Sequence, residues 1–227
     1  DSHLDCRCVL ILFVAAQEIN AAVQTGLAAS GAIGPDRIPL SVLSRVNATR
    51  EELRHARTYA PGMVLEVATR QPRHGLARGS YTVIGLEPDK GRVLLADAAG
   101  KRHNLLPGRI GSQGDAQALQ LHERKEIALH TGDLIRWTAT DHRRGLINAD
   151  RASVTAITAD HVAIRPSTGI EQRLPRNDPM LERLDLAYAM NAHMAQGLTA
   201  DRGIAVMDSH ERRLLSARNF LVTITRL

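Results

Sequence analysis

The sequence predicts an α/β fold that is interrupted by a β-rich insertion, and three regions carry this prediction. The apolar run at 9–15 is typical of a buried strand in a parallel sheet. Apolar residues then recur at helical spacing over 16–29, and Gly31 lies where such a helix would end. Strand-like runs return at 203–208 and 220–227, so the two ends of the sequence are expected to form the α/β part.

The intervening region, residues 59–175, consists of short strand-like runs separated by turn residues, which favours small SH3-like β-barrels. It contains an approximate repeat, with one unit at 59–110 and another at 129–175, whose opening turns lie 70 residues apart. Chance similarity between two strand meanders is the alternative to a true repeat. Between the units, residues 111–115 are predicted to form a linker and residues 116–128 a helix.

Composition and charge limit the kind of partner that the chain can have. The net charge is +5 and the pI is about 9.8, which favours an anionic partner. Lys occurs at only three positions and all other basic residues are Arg, whose planar fork binds phosphate through two parallel hydrogen bonds. A GC-rich genome is the alternative explanation of this bias.

The cysteine and hydropathy patterns bear on the cellular location of the protein. Cys6 and Cys8 are one residue apart and would point to opposite faces of a strand, so no disulfide is expected and a reduced, cytoplasmic location is predicted. The His and Cys residues lack the spacing of metal ligands, so no metal site is expected. The apolar run at 8–16 is too short to span a bilayer, and no membrane span is expected.

A small polar cluster carries the main functional signal. His193, Gln196, Gly197 and Thr199 lie just before the strand-like run at 203–208. Open α/β sheets bind ligands at such an edge, where a glutamine can both donate and accept hydrogen bonds and a threonine can contact phosphate. An ordinary helix cap would explain Gly197 alone, but not the whole cluster.

A single arginine, Arg226, ends the β-branched run at 220–227. A charge at the end of a buried strand needs a partner. In phosphoryl transfer an inserted arginine neutralises the charge that grows on the γ-phosphate, so Arg226 is a candidate catalytic residue. The alternative is an arginine on the surface.

These features resemble the late motifs of superfamily 1 helicases, in which a His-x-x-Gln-Gly-x-Thr turn lies beside nucleotide and strand and a later strand ends in an arginine finger. Three further segments, at 18–20, 44–50 and 135–150, extend the resemblance over the whole length. The chain is similar to the C-terminal motor half of a conjugative relaxase-helicase of the MOB-F class, a RecD-like superfamily 1B helicase. The segment at 14–17 departs from the family, because the usual Thr and Arg are absent.

The resemblance implies a domain organisation. Residues 1–58 would form the first part of the second RecA-like domain, of the P-loop NTPase type, together with a connector. Residues 59–175 would form the SH3-like insertion, and residues 176–227 would return to the RecA-like domain.

The resemblance also implies roles for individual residues. Arg226 would be the catalytic arginine finger. Gln196 and Gly197 would couple the nucleotide to DNA, and His193 and Thr199 would bind DNA.

Two basic turns are weaker candidates for contact with DNA. Arg143 and Arg144 lie close to Trp137, and a second turn spans 70–78. Arginine beside an aromatic ring suits single-stranded DNA. The alternative is a solvated loop, and for Trp137 a position in the barrel core is favoured.

The implied function is part of an ATP-dependent DNA helicase that translocates on single-stranded DNA during conjugative plasmid transfer. The sequence contains no Gly-x-x-x-x-Gly-Lys-Ser/Thr motif and no acidic pair after an apolar run. The residues that bind ATP and Mg²⁺ are therefore expected in an upstream first RecA-like motor domain of a longer protein, and this chain alone is expected to be inactive. The alternative is a non-catalytic module that binds single-stranded DNA or docks a protein, with a degenerate motor half.

Overall fold

The computed structural model describes residues 8–10, 15–46, 48–111, 118–190 and 205–206, and these are mostly β-strand. In chain order, the helices and strands are β1 (Cys8–Leu10), α1 (Ala15–Ala29), β2 (Arg37–Arg45), α2 (Arg50–Leu53), β3 (Val64–Val67), β4 (Gly79–Glu87), β5 (Arg92–Ala96), β6 (Arg102–Leu105), β7 (Leu119–His130), β8 (Leu134–Trp137), β9 (Arg151–Ile157), β10 (His161–Pro166), β11 (Gln172–Pro175), β12 (Leu184–Leu186), β13 (Ala189–Met190) and β14 (Ala205–Val206). Short 3-10 helices lie at Ala56–Thr58, Pro72–His74, Pro88–Lys90, Pro107–Arg109 and Pro179–Arg183. None of the described helices is long and apolar enough to cross a membrane.

The chain divides into two compact units. The continuous unit is Ser41–Ile127, and the split unit combines Asp1–Leu40 with Ala128–Leu227. These boundaries differ from the predicted insertion at 59–175, because parts of β2 and β7 join the sheet that contains β3. The second predicted barrel repeat thus belongs to the same compact unit as the helix α1.

The α/β elements at the start of the chain follow the prediction. The strand β1 lies between β13 and β14 and pairs with both in parallel, as expected for the apolar run at 9–15, of which residues 11–14 lie outside the described part. Helix α1 follows, and Gly31 ends it with a φ of +72°, a left-handed conformation that glycine adopts without strain. Both the strand and the helix are therefore confirmed where they are described.

The continuous unit contains a strand meander, β3 to β6, that β7 closes by pairing with β3. Its core is formed by apolar residues that alternate along the strands, as expected for a sheet with one buried face. The fully buried members are Leu65, Val93, Leu95 and Leu105.

The split unit contains a second meander of the same kind. Strands β8 to β11 form it, and β12 closes it by pairing with β8. Trp137 is 1% exposed at the end of β8, which confirms its expected place in the core. The bulk of that ring is therefore removed from any surface that could stack on a base.

Irregular features recur at matching positions of the two meanders. Both open with a left-handed glycine, at φ +89° for Gly62 and +95° for Gly132. Both contain an isolated antiparallel bridge, Gln71↔Leu76 in the first and Asp141↔Leu146 in the second. Both have a register shift between their second and third strands. Because such irregularities depend on local sequence rather than on a general strand pattern, they favour a true repeat over chance similarity.

The predicted helix at 116–128 is wrong for the residues that are described, since residues 119–130 form the strand β7. This segment is rich in Glu, Arg, Lys, Ala and Leu, so its local propensity favours a helix. In the structure Leu119 and Leu121 fill the core two residues apart, and they pair with Val67 and Leu65 of β3. Burial and strand pairing override the local propensity. Most of the predicted linker at 111–115 lies outside the described residues.

Candidate nucleic-acid interface

Each meander presents one loop between its first and second strands. In the continuous unit this loop, the Arg73 loop, spans 68–78, and in the split unit the Arg143 loop spans 138–150. The bridge described above pinches each loop, and the leucine on its far side is buried, Leu76 in one and Leu146 in the other. The backbone of each loop is thus held in place at the bridge, and Arg73 and Arg143 are among the loop residues that remain exposed.

Arg144 is held by carboxylates of its own unit. Its Nε donates to Asp141 Oδ2 at 2.7 Å, and its two terminal nitrogens donate to the two oxygens of Asp178. These hydrogen bonds raise the pKa of Arg144, with Asp178 as the main cause. They also lower the pKa of Asp141, chiefly through the side chain of Arg144. The charge of Arg144 is therefore neutralised within the fold, which gives it a structural role.

Arg143 has a different environment from its neighbour. It is exposed, and only its backbone N–H has a partner among the described residues, Asp141 Oδ1 at 3.0 Å. Arg73 lies 70 residues earlier, at the matching position of the other loop, and is also exposed. Of the predicted pair in this loop, Arg143 is thus the one whose guanidinium faces solvent.

The Arg73 loop is the more basic of the two. It contains Arg70, Arg73 and Arg78, all exposed, and it has no acidic residue. The continuous unit as a whole has 14 Lys and Arg against nine Asp and Glu, whereas the split unit has 15 of each. The net charge of +5 therefore belongs to the continuous unit, and an anionic partner would be attracted to that unit first.

The remaining predicted site residues lie outside the described part of the chain. They are His193, Gln196, Gly197, Thr199 and Arg226. The first four fall in the segment between β13 and β14, which both pair with β1. No cluster of three or more potential metal ligands occurs among the residues that the structure describes.

Helix α1 is anchored by polar contacts that the sequence did not reveal. The apolar residues that predicted the helix are only half-buried or exposed, whereas Asn20 and Gln24 are buried. Gln24 reaches Asp133 of the second meander, and Asn20 reaches the backbone of Leu186 and Ala189. The i, i+4 spacing of two polar residues on one face was the available signal.

Comparison with known proteins matches the continuous unit to a defined domain family. The model of the DNA relaxase TraI 2B/2B-like domain matches residues 42–129, within two residues of Ser41–Ile127 at each end. The Multifunctional conjugation protein TraI of Escherichia coli strain K12 is 27% identical over 199 residues, which cover 88% of this chain and 11% of that protein. A second Escherichia coli TraI is 27% identical over 201 residues, with the same coverage. The chain thus corresponds to a small part of these relatives.

Solved structures of Pif1 are also similar, but more loosely. Bacteroides sp. Pif1 in complex with ADP-AlF4 is 12% identical, with 100% of this chain and 39% of that chain covered and a TM-score of 0.40. Pif1 helicase from Bacteroides in complex with ADP-AlF3 and ssDNA is 19% identical, with 44% and 27% covered and a TM-score of 0.37. Scores this low do not establish a common overall fold. Residues 42–129 match the TraI 2B/2B-like domain family, and 88% of the chain is similar to part of the conjugation protein TraI, in agreement with the resemblance to the conjugative relaxase-helicases.

Proposed function

We propose that this chain is part of an ATP-dependent DNA helicase that moves along single-stranded DNA during conjugative transfer. One observation carries the proposal: the unit that matches the TraI 2B/2B-like domain also holds the whole net positive charge of the chain. In this proposal the two meanders are SH3-like barrels, and the parallel strands around β1 with helix α1 belong to a RecA-like domain.

The two exposed loop arginines are the proposed contacts with the strand. Arg73 and Arg143 each present a guanidinium that can bind phosphate without reading sequence. Because Trp137 is buried, base stacking on that ring contributes nothing, and the binding is mainly electrostatic. We therefore expect weak, sequence-independent binding with a strong dependence on salt.

The nucleotide side of the proposal rests on the late motifs. Gln196 and Gly197 couple nucleotide to DNA, His193 and Thr199 contact the strand, and Arg226 is the arginine finger. Main contacts with ATP and Mg²⁺ come from an upstream motor domain. In the full-length protein Gln196→Ala should leave ATP turnover in place but remove its dependence on single-stranded DNA.

Binding of a labelled oligothymidine strand to this chain, measured by fluorescence anisotropy over a range of salt concentrations, tests the DNA contact. Arg73→Ala and Arg143→Ala should each weaken binding and reduce the slope of log affinity against log salt by about 0.7. Arg57→Ala and Arg173→Ala are matched controls, since both residues are exposed but lie outside the two loops. Equal effects of loop and control variants would remove the assigned interface.

The alternative function is a non-catalytic module that binds single-stranded DNA or docks a protein. The lack of a phosphate-binding Gly-Lys motif in these residues favours it. If the chain binds no oligothymidine at low salt, protein docking becomes the better explanation.

A further inference from the structure

A buried carboxylate, Asp133, lies at the junction between the second meander and helix α1. Its side chain is 0% exposed. It accepts hydrogen bonds from Gln24 Nε2 at 2.6 Å, from the His130 backbone N–H at 2.7 Å and from the Tyr188 hydroxyl at 2.7 Å. These donors come from three different parts of the split unit: the helix α1, the last residue of β7 and the segment between β12 and β13. One side chain therefore holds three elements together.

The hydrogen-bond directions show that the side chain of Asp133 acts as an acceptor. Gln24 Nε2 also donates to the Ala128 carbonyl at 2.7 Å, which fixes the orientation of the amide. The Tyr188 oxygen accepts from the Leu134 N–H at 3.4 Å, so its own proton points to Asp133. All three hydrogen bonds to the Asp133 side chain therefore run from a donor on another residue to a carboxylate oxygen.

The first meander shows that this turn does not need a carboxylate. Met63 occupies the position that matches Asp133, 70 residues earlier. Its sulfur accepts the Ala60 N–H at 3.3 Å, just as Asp133 accepts the His130 N–H. The turn itself therefore does not require a carboxylate. What the carboxylate adds is the pair of hydrogen bonds with Gln24 and Tyr188.

Asn20 extends this hold along the same face of α1. Its amide donates to the carbonyls of Leu186 and Ala189 at 3.2 and 3.3 Å, and its oxygen accepts the Ala189 N–H at 2.7 Å. Residues 186–189, the connector, join β12 to β13. The connector is thus fixed to α1 by Asn20 and to β8 by Tyr188 and Asp133.

The Arg143 loop is tied to the same connector through regular structure. Strand β8 begins at Leu134, next to Asp133, and continues directly into the loop. On the other side, Asp178 holds Arg144 and also caps the 3-10 helix Pro179–Arg183 through the Met180 N–H at 2.9 Å. That helix leads into β12, which pairs with β8. A displacement of the loop would therefore be transmitted to β8, which begins next to Asp133, and to β12, which leads into the segment that contains Tyr188.

We propose that Asp133 locks α1 and the connector onto the second meander, so that binding of an anionic strand at the Arg143 loop also stabilises α1 and the connector. This inference rests on the proposed function, because the bound strand is single-stranded DNA. Asp133 is a positioning residue: it touches neither the strand nor a nucleotide.

Hydrogen-exchange mass spectrometry of the chain, with and without an oligothymidine strand, tests the proposal. In the wild type, DNA should slow exchange in the Arg143 loop, in α1 and in the connector. Asp133→Met introduces the residue of the first meander and keeps the turn contact, so the Arg143 loop should still bind the strand. Protection of the loop should remain, but the DNA-induced protection of α1 and the connector should fall by roughly tenfold or more.

The experiment distinguishes failure of this inference from failure of the proposed function. Undiminished DNA-induced protection of α1 in Asp133→Met would overturn the inference while leaving DNA binding intact. If the wild type binds no DNA, the proposed function fails, and the lock is then judged without DNA. In that case Asp133→Met must speed exchange in α1 and the connector but not in the continuous unit, or the lock is absent. Tyr188→Phe, which removes a single hydroxyl, replaces Asp133→Met if that variant does not fold, and the same outcomes apply.

Discussion

Two adjacent arginines in one loop should have opposite consequences when each is replaced by alanine. Arg144→Ala removes the partner of Asp178, whose side chain is only 8% exposed. Breaking a fully buried pair costs roughly 3–5 kcal/mol, because one charge is left without compensation. Arg144 keeps 33% of its side chain in solvent, so water can partly replace it and the expected loss of unfolding free energy is about 2 kcal/mol. Arg143→Ala removes no side-chain contact among the described residues and should leave stability unchanged.

Urea denaturation followed by circular dichroism, in parallel with oligothymidine binding, measures both effects. Arg144→Ala should lower the urea midpoint, with little effect on DNA affinity at temperatures where the variant is folded. Arg143→Ala should do the reverse. Arg173→Ala is the control for a loss of exposed positive charge in the same unit. If Arg144→Ala weakens DNA binding as strongly as Arg143→Ala while its midpoint is unchanged, the assignment of Arg144 to the fold is wrong.

Three further predictions follow from the same contacts and motifs. The stability penalty of Arg144→Ala should shrink below about pH 4 in urea titrations, because Arg144 lowers the folded-state pKa of Asp141. The free energy that Asp141 contributes to folding is complete above the ordinary carboxyl pKa and is lost as the pH falls through the lowered folded-state pKa. In a double-mutant cycle of unfolding free energies, Asp133→Asn and Tyr188→Phe should show a coupling of about 1 kcal/mol or more. Additive effects would mean that the hydrogen bond between these two side chains does not contribute to stability. In the full-length protein Arg226→Ala should lower ATP turnover by roughly 10³-fold with little change in nucleotide affinity, whereas near-normal turnover would remove the arginine-finger assignment.

Local patterns were enough to predict the elements whose structure depends on near neighbours. Helix α1 and its end at Gly31 follow from apolar spacing and from the freedom of glycine at positive φ. The matched turns of the two meanders follow from Gly62 and Gly132, which any comparison of the two segments brings into register. The core position of Trp137 follows from its place on an alternating strand.

Other features depend on residues that are distant in sequence. The strand β7 could not be predicted because its composition favours a helix, and only its pairing with β3 decides otherwise. The pairing of Arg144 with Asp178 joins residues 34 positions apart. Two of the three partners of Asp133 lie 109 positions before it and 55 positions after it, so no local pattern marks that carboxylate as buried.

The central claim, that this chain is part of an ATP-driven motor that DNA stimulates, is tested most directly by the ATP turnover of the full-length protein with and without oligothymidine. We predict turnover that single-stranded DNA stimulates strongly, and no turnover by the 227-residue chain alone, which lacks a phosphate-binding Gly-Lys motif. Turnover that is absent from the full-length protein, or that is indifferent to DNA, would contradict the motor and leave the binding or docking module as the function.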